Sequence, residues 1–154
     1  MKHQQIVSRS TDETLKLAAA IGRKLRGGEA VELASDLGGG KTMFVRGLAK
    51  GIGSRDAVRS PSFTLSNEYR AKNLTLYHFD FYRLNEPGIM CDELAEALAN
   101  PAAIVAVEWA NLVEAVLPEK RLRIAIKATG EESRELILTY PESLAYLIPE
   151  NKNT

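Results

Sequence analysis

The segment that decides the fold reads Ala30-Val31-Glu32-Leu33-Ala34-Ser35-Asp36-Leu37-Gly38-Gly39-Gly40-Lys41-Thr42. Its first part, Ala30–Ala34, predicts a short strand with Val31 and Leu33 on one face. Three successive glycines follow, and they suit no regular element because each carries a high entropic cost. After them, apolar residues recur at helical spacing until Gly51 and Gly53. The order strand, glycine-rich turn, helix is therefore predicted.

The glycine-rich turn is close to the phosphate-binding pattern G-x-x-x-x-G-K-[ST], with Ser35 in place of the first glycine. A Gly-Lys-Ser/Thr triplet alone arises by chance in about one such chain in fifteen, given average residue frequencies. The alternative is a flexible turn before a helix with an exposed lysine. The position between strand and helix favours phosphate binding, because helix N-termini attract anions. The residues predicted to wrap the phosphates of ATP are Leu37, Gly38, Gly39 and Gly40.

The two residues that end this motif predict roles in a magnesium–ATP site. Lys41 is expected to reach the β- and γ-phosphates, and Thr42 to offer its hydroxyl to Mg²⁺. Mg²⁺ also needs carboxylates, and Asp80 and Glu108 stand where two predicted strands end. Glu108 is the better magnesium candidate because it follows the most apolar strand, whereas Asp80 could orient water or support a ligand. Each carboxylate alone could equally be a surface or capping group.

The remaining pattern predicts one α/β domain over residues 1–154. A capping box at Ser10–Glu13 predicts a helix that ends at Gly27-Gly28, and Thr11 could reach a ligand from its start. Strand-like and helix-like segments alternate and two hairpins are indicated, which favours a three-layer, P-loop NTPase-like sandwich with a mixed, mainly parallel sheet. The further predicted strands are Phe63–Tyr69, Leu74–Phe81, Ala103–Val107, Leu122–Ile126 and Leu136–Tyr140, and the further predicted helices are Asp92–Ala99 and Pro141–Ile148.

Composition limits the functional classes. The formal net charge is +0, which argues against a chain that grips nucleic acid by itself. The single cysteine, Cys91, fits a reducing compartment. The N-terminal residues lack a signal-peptide pattern, and no apolar run is long enough to span a bilayer. A cytoplasmic protein without membrane contact is expected.

Four ordered motifs resemble the bacterial TsaE (YjeE) ATPases, which help make threonylcarbamoyladenosine in tRNA. The motifs are Leu37–Thr42, Ser60–Leu65, Tyr77–Leu84 and Val107–Trp109. The resemblance covers the chain from about Ser10 to Tyr140 and departs from the family at Ser35, where glycine is usual. It implies that Lys41 and Thr42 bind phosphate and Mg²⁺, that Glu108 is a magnesium ligand, and that Asp80 is required for hydrolysis. It also implies that Trp109 lies near the nucleotide and that residues 60–64 form a switch-like loop.

The resemblance also implies two partners, a TsaB-like and a TsaD-like protein, of which TsaD carries the transfer chemistry. The tRNA would then be contacted only indirectly, while self-association stays open. A nucleotide-binding switch with little turnover is the main alternative, motivated by Ser35. A small P-loop kinase ranks lower, since no arginine follows Glu108 before Arg121. A GTPase ranks lowest, since the Asn-Lys-x-Asp motif that reads guanine is absent.

Overall fold

A single mixed sheet organises the computed structural model, which describes residues 1–35, 40–58, 66–81 and 88–150. Its strands in this part of the chain are β1 (Lys2–Ser8), β2 (Ala30–Ser35), β3 (Ser66–Arg70), β4 (Thr75–Asp80), β5 (Ala103–Glu108), β6 (Leu122–Ala128) and β7 (Arg134–Tyr140). Their order across the sheet is β1-β7-β6-β2-β5-β4-β3. The central four, β6, β2, β5 and β4, run parallel. The outer pairings are antiparallel, so the predicted mixed sheet with hairpins is confirmed.

Helices cover both faces of the sheet and complete three layers. The helices α1 (Thr11–Lys24) and α2 (Lys41–Ile52) pack on one face, and α3 (Gly88–Ala99) packs on the other. Two 3₁₀ segments, Ala110–Val113 and Glu142–Leu147, follow β5 and β7. None of the helices described within residues 1–150 combines the length and apolar character needed to cross a membrane.

The strand β5 is the most deeply buried element. All six of its residues are buried, and it pairs in parallel with β2 on one side and β4 on the other. The prediction of a strand buried on both faces is therefore confirmed. Ile104 and Ala106 belong to the apolar core beneath α1 and α2, whereas Val105 and Val107 belong to the core beneath α3.

The start of α1 uses the predicted capping residues with one shift. Ser10 is the N-cap, and its Oγ accepts the Glu13 N–H at 3.1 Å. The Glu13 carboxylate accepts the N–H of Arg9 at 2.7 Å, one residue before the N-cap itself. Both bonds satisfy donors at the beginning of the helix, where no intrahelical acceptor exists.

Several boundaries differ from the sequence expectations. β1 was not predicted, because its residues show little apolar alternation and, among the described strands, it pairs with β7 alone. α3 begins at Gly88 rather than Asp92, and α1 ends at Lys24, before the two glycines. The closing segment is a 3₁₀ helix within the predicted Pro141–Ile148. Residues 63–65 of the predicted first hairpin strand lie outside the described residues.

Close contact between α1 and α2 depends on glycine. A Cβ on Gly47 would collide with the Cβ of Ala18 and would lie 2.9 Å from the carbonyl oxygen of Leu15. On Gly51, a Cβ would collide with the carbonyl oxygen of Ala19. Since backbone atoms cannot rotate away as a side chain can, the two helix axes would have to separate. This contact fixes α2, and with it the residues at its N-terminus.

Replacing Gly47 by valine is expected to lower the free energy of unfolding by about 1–3 kcal/mol, because overpacking strains a well-packed core. Urea denaturation followed by circular dichroism measures this. Arg46→Val is the matched control, since Arg46 is the adjacent, exposed residue of the same helix. That control is expected to cost only the difference in helix propensity, roughly half a kcal/mol. Equal losses in the two variants would contradict the packing argument.

Candidate nucleotide site

The candidate site lies at the carboxyl ends of β2, β4 and β5. These three strands are parallel neighbours, and they end at Ser35, Asp80 and Glu108. Asp80 and Glu108 are direct register partners, so their side chains leave the same face of the sheet. In open α/β sheets, ligands bind beyond the carboxyl ends of such strands. The topology therefore gathers the predicted carboxylates at the expected edge.

Lys41 reaches this edge from the first residue of α2. Its side chain is 8% exposed, and Nζ lies 3.6 Å from Glu108 Oε1 and 3.3 Å from the carbonyl oxygen of Ser35. Gly40 is the N-cap of α2, in a left-handed conformation with φ of 106°, and no side chain among the described residues caps the helix. The first N–H groups of α2 and the positive end of the helix dipole thus flank a buried ammonium group. This arrangement favours an anion.

Glu108 is buried between a cation and a histidine. Its carboxylate is 5% exposed, and Oε2 lies 2.6 Å from Nε2 of His78, whose side chain is fully buried. The other oxygen, Oε1, faces Lys41. Burying a carboxylate is costly unless it is paired and hydrogen-bonded. Here both conditions are met, with a different partner on each oxygen.

Trp109 follows Glu108 in a strained backbone conformation. Its φ of 59° and ψ of 49° are left-handed, and within the described ranges it is the only non-glycine residue with positive φ. A bulky side chain rarely adopts this conformation, and such strain is concentrated at functional sites. The Lys41 Nζ lies 5.0 Å from the centre of the indole ring, within cation–π distance. The turn thus directs the ring towards the ammonium group.

Ser35 does not require the backbone freedom of glycine. It is the last residue of β2, it is paired with Ile126 of β6, and its carbonyl oxygen accepts from Lys41. Its backbone is extended, which any residue adopts. The departure from the family pattern at this position is therefore compatible with the strand.

The fit to Mg²⁺ rests on the chemistry of the oxygen donors. Thr42, the second residue of α2, and the carboxylates of Asp80 and Glu108 are hard oxygen ligands of the kind that Mg²⁺ prefers. No group of three His, Cys, Asp or Glu side chains within the described ranges is placed to hold a metal ion by itself. Mg²⁺ commonly takes one or two protein carboxylates and completes its shell with phosphate oxygens and water.

The structure brings some predicted site residues together and leaves others untested. Lys41, Glu108 and Trp109 are in contact, Asp80 is the register partner of Glu108, and Gly40 and Thr42 flank Lys41. Thr11 instead donates a hydrogen bond to Glu132 Oε1 at 3.2 Å. The predicted residues outside the described ranges are Leu37, Gly38, Gly39 and the segment 60–64.

Two residues near the site were not predicted. His78 is one of them, because a histidine in a strand does not by itself indicate a carboxylate partner 30 residues away. Arg134 lies beside Gly40, where a Cβ would be 3.5 Å from its Nε, and Arg134 Nη1 donates to the Ser133 carbonyl at 2.8 Å. No local signal links Arg134 to the glycine-rich segment, because the β6–β7 turn reaches that segment only in the folded sheet.

A cavity of about 290 Å³ lies at the opposite end of α2, beside Lys50 and Arg55. Lys50 stands in the last helical turn, where a cation complements the negative end of the helix dipole. Its distance from Lys41 along the helix is about 13 Å, at 1.5 Å per residue. This cavity is therefore separate from the candidate site.

Comparison with known proteins identifies the family of the chain. A family model described as "Threonylcarbamoyl adenosine biosynthesis protein TsaE" matches residues 8–136. The chain belongs to the TsaE family. The tRNA threonylcarbamoyladenosine biosynthesis protein TsaE of Bacillus subtilis is 36% identical over 140 residues, which are 90% of this chain and 85% of that protein. The protein of the same name from Treponema pallidum is 37% identical over 130 residues, 84% of this chain and 96% of that protein.

A solved structure supports the same fold. The crystal structure of Bacillus subtilis YdiB matches with a TM-score of 0.77 and 33% sequence identity. The match covers 95% of this chain and 91% of YdiB. The resemblance inferred from the motifs and the predicted α/β fold class of this TsaE-family chain are therefore both confirmed.

The buried pair Lys41–Glu108 is expected to be energetically coupled in this TsaE-family chain. The double variant Lys41→Met/Glu108→Gln should lose less unfolding free energy than the sum of the losses in the two single variants. The difference should be roughly 0.5–3 kcal/mol, as for other residues in contact. Urea denaturation of the four proteins measures the coupling. The control pair is Asp12–Lys16, which has a shorter distance of 3.3 Å but side chains that are 75% and 79% exposed. Its coupling should be close to zero, because water screens exposed charges. Equal coupling in both pairs would contradict this account.

Proposed function

We propose that this chain is a magnesium-dependent ATPase that takes part in forming threonylcarbamoyladenosine in tRNA. The observation that carries the proposal is the buried contact between Lys41 and Glu108, at the junction of the α2 N-terminus with the carboxyl ends of the parallel strands. The names of the relatives supply the pathway. The geometry supports the phosphate chemistry.

The ammonium group of Lys41 is suited to binding the phosphates of ATP. It is pre-positioned by Glu108 and the Ser35 carbonyl, so little side-chain entropy remains to be lost on binding. Phosphate oxygens would replace these acceptors, and the first N–H groups of α2 would add hydrogen bonds. Transfer of a phosphoryl group depends mainly on such positioning and charge stabilisation.

Thr42 and Glu108 would hold Mg²⁺, with the remaining ligands supplied by nucleotide and water. When bound, the ion would neutralise negative charge on the phosphates. Asp80, the register partner of Glu108, stands where a carboxylate can orient a water molecule for attack. Trp109 would close one side of the site, since its ring already lies beside Lys41.

We also propose that a TsaB-like and a TsaD-like protein are its partners and that tRNA is contacted only through them. The neutral net charge of the chain supports this arrangement, because direct binding to a phosphate backbone requires a surplus of Lys and Arg. The partners would supply both the tRNA surface and the transfer chemistry.

Hydrolysis of ATP is expected to be slow for the chain alone and faster when both partners are added. Thr42→Ala should lower the stimulated rate tenfold or more, which corresponds to at least about 1.4 kcal/mol of lost transition-state stabilisation. A phosphate-release assay with and without the partners measures the stimulation and the effect of Thr42→Ala. The same assay without Mg²⁺ measures the dependence on the metal ion. Thr75→Ala is the matched control, because Thr75 begins β4 at the opposite edge of the sheet. An unstimulated chain whose Thr42→Ala variant keeps full activity would overturn the proposal.

A second candidate function is a nucleotide-binding switch with little turnover. It is favoured by the present partners of Lys41, since a bound nucleotide would have to release that cation from Glu108 and thereby change the site. Trp109 is the only tryptophan of the chain, so its fluorescence reports this change. Tight Mg-ATP binding with a fluorescence change, but no phosphate release even with both partners, would favour the switch over the ATPase.

A further inference from the structure

His78 has an environment that packing alone does not explain. Its side chain is fully buried, and Nε2 lies 2.6 Å from Glu108 Oε2. The other ring nitrogen, Nδ1, has no hydrogen-bond partner among the described residues. A buried polar atom without a partner lowers stability. An apolar residue would avoid this penalty, and apolar residues do occupy neighbouring positions on this face, namely Leu76 on β4 and Ala106 on β5.

The sheet register explains how His78 reaches Glu108. His78 on β4 is paired with Ala106 on β5, and Glu108 lies two residues further along β5. Both side chains therefore project from the same face, as diagonal neighbours on adjacent strands. The backbone of β5 is held in place, since this strand is paired on both sides and buried along its whole length.

The contact determines which carboxylate oxygen faces the site. With Oε2 accepting from His78, the carboxylate cannot rotate freely, and Oε1 is left towards Lys41 at 3.6 Å. Without the histidine, both oxygens could turn to Lys41 and pair with it more closely. The ammonium group would then be less available to another anion.

We propose that His78 is a positioning residue, which donates from Nε2 to Glu108 and holds one carboxylate oxygen towards the phosphate and magnesium site. This inference rests on the proposed function for the roles of Lys41 and Glu108. His78 acts through Glu108 and contacts no ligand itself, as partners of metal-binding side chains commonly do.

Two variants of His78 separate the effect of its hydrogen-bond donor from the effect of its side-chain volume. Glutamine places an N–H donor near the position of Nε2, whereas leucine fills the space without a donor. Isothermal titration of ADP with Mg²⁺ and with EDTA gives the factor by which magnesium strengthens binding. We expect that factor to fall about tenfold in His78→Leu and to stay within about threefold of wild type in His78→Gln. Leu76→Val, on the same buried face, is the control that disturbs packing without removing a donor.

Nitrogen-15 spectra of the histidine rings provide a test that needs no nucleotide. The chain has two histidines, so the signals of His78 are assigned by comparison with a His3→Gln variant. We expect a slowly exchanging proton on Nε2 of His78, and we expect Glu108→Ala to make it exchange faster. A neutral ring protonated only on Nδ1 would overturn the inference.

The outcomes distinguish this inference from the proposed function. If wild type gains no affinity from magnesium, the proposed function fails, and the inference that rests on it fails too. A wild type that gains affinity, beside a His78→Leu variant that keeps the whole gain, overturns the positioning role alone. Equal losses in the leucine and glutamine variants would also overturn it, because they would show that the donor does not matter. Loss in leucine with retention in glutamine supports it.

Discussion

The parallel pairing of β5 on both sides is the constraint on which the rest of the structure depends. Six buried residues fix this strand between β2 and β4, and its last residue is a glutamate. Because β2 leads to α2 and β4 carries His78, the three elements converge on the Glu108 carboxylate. A displacement of β5 would separate Glu108 from Lys41 and His78 together. The apolar sequence Ala103–Val107 thus supports both the core and the charged centre.

The charged centre formed by Lys41, Glu108 and His78 is unusual, because protein interiors rarely contain ionisable side chains. A carboxylate, an ammonium group and an imidazole are all nearly inaccessible to water, and the tryptophan beside them has a left-handed backbone. Such groups and such strain persist only where the surroundings hold them in place. The close packing of α1 on α2 and the double pairing of β5 supply that rigidity. A strained turn beside buried charged groups is a pattern that occurs most often at functional sites.

The sequence predicted the elements whose signals are local. Apolar runs or turn residues predict the β2–α2 junction, the buried β5 and the hairpin β6–β7. The strand β1 does not, because its pairing with β7 compensates for a weak apolar pattern. Likewise, Lys41, Asp80 and Glu108 follow from motif and strand ends, whereas His78 and Arg134 acquire their neighbours only through sheet register and a distant turn.

The pairing of β1 with β7 also has a consequence for the order of events during synthesis. Lys2 is the register partner of Tyr140, so β1 pairs with a strand that is made much later. On the ribosome, β1 cannot pair until β7 has emerged, and contacts between residues so distant in sequence form slowly. The central parallel strands can associate before then, once β6 has appeared. The strand β1 therefore joins the sheet only after β7 has been made.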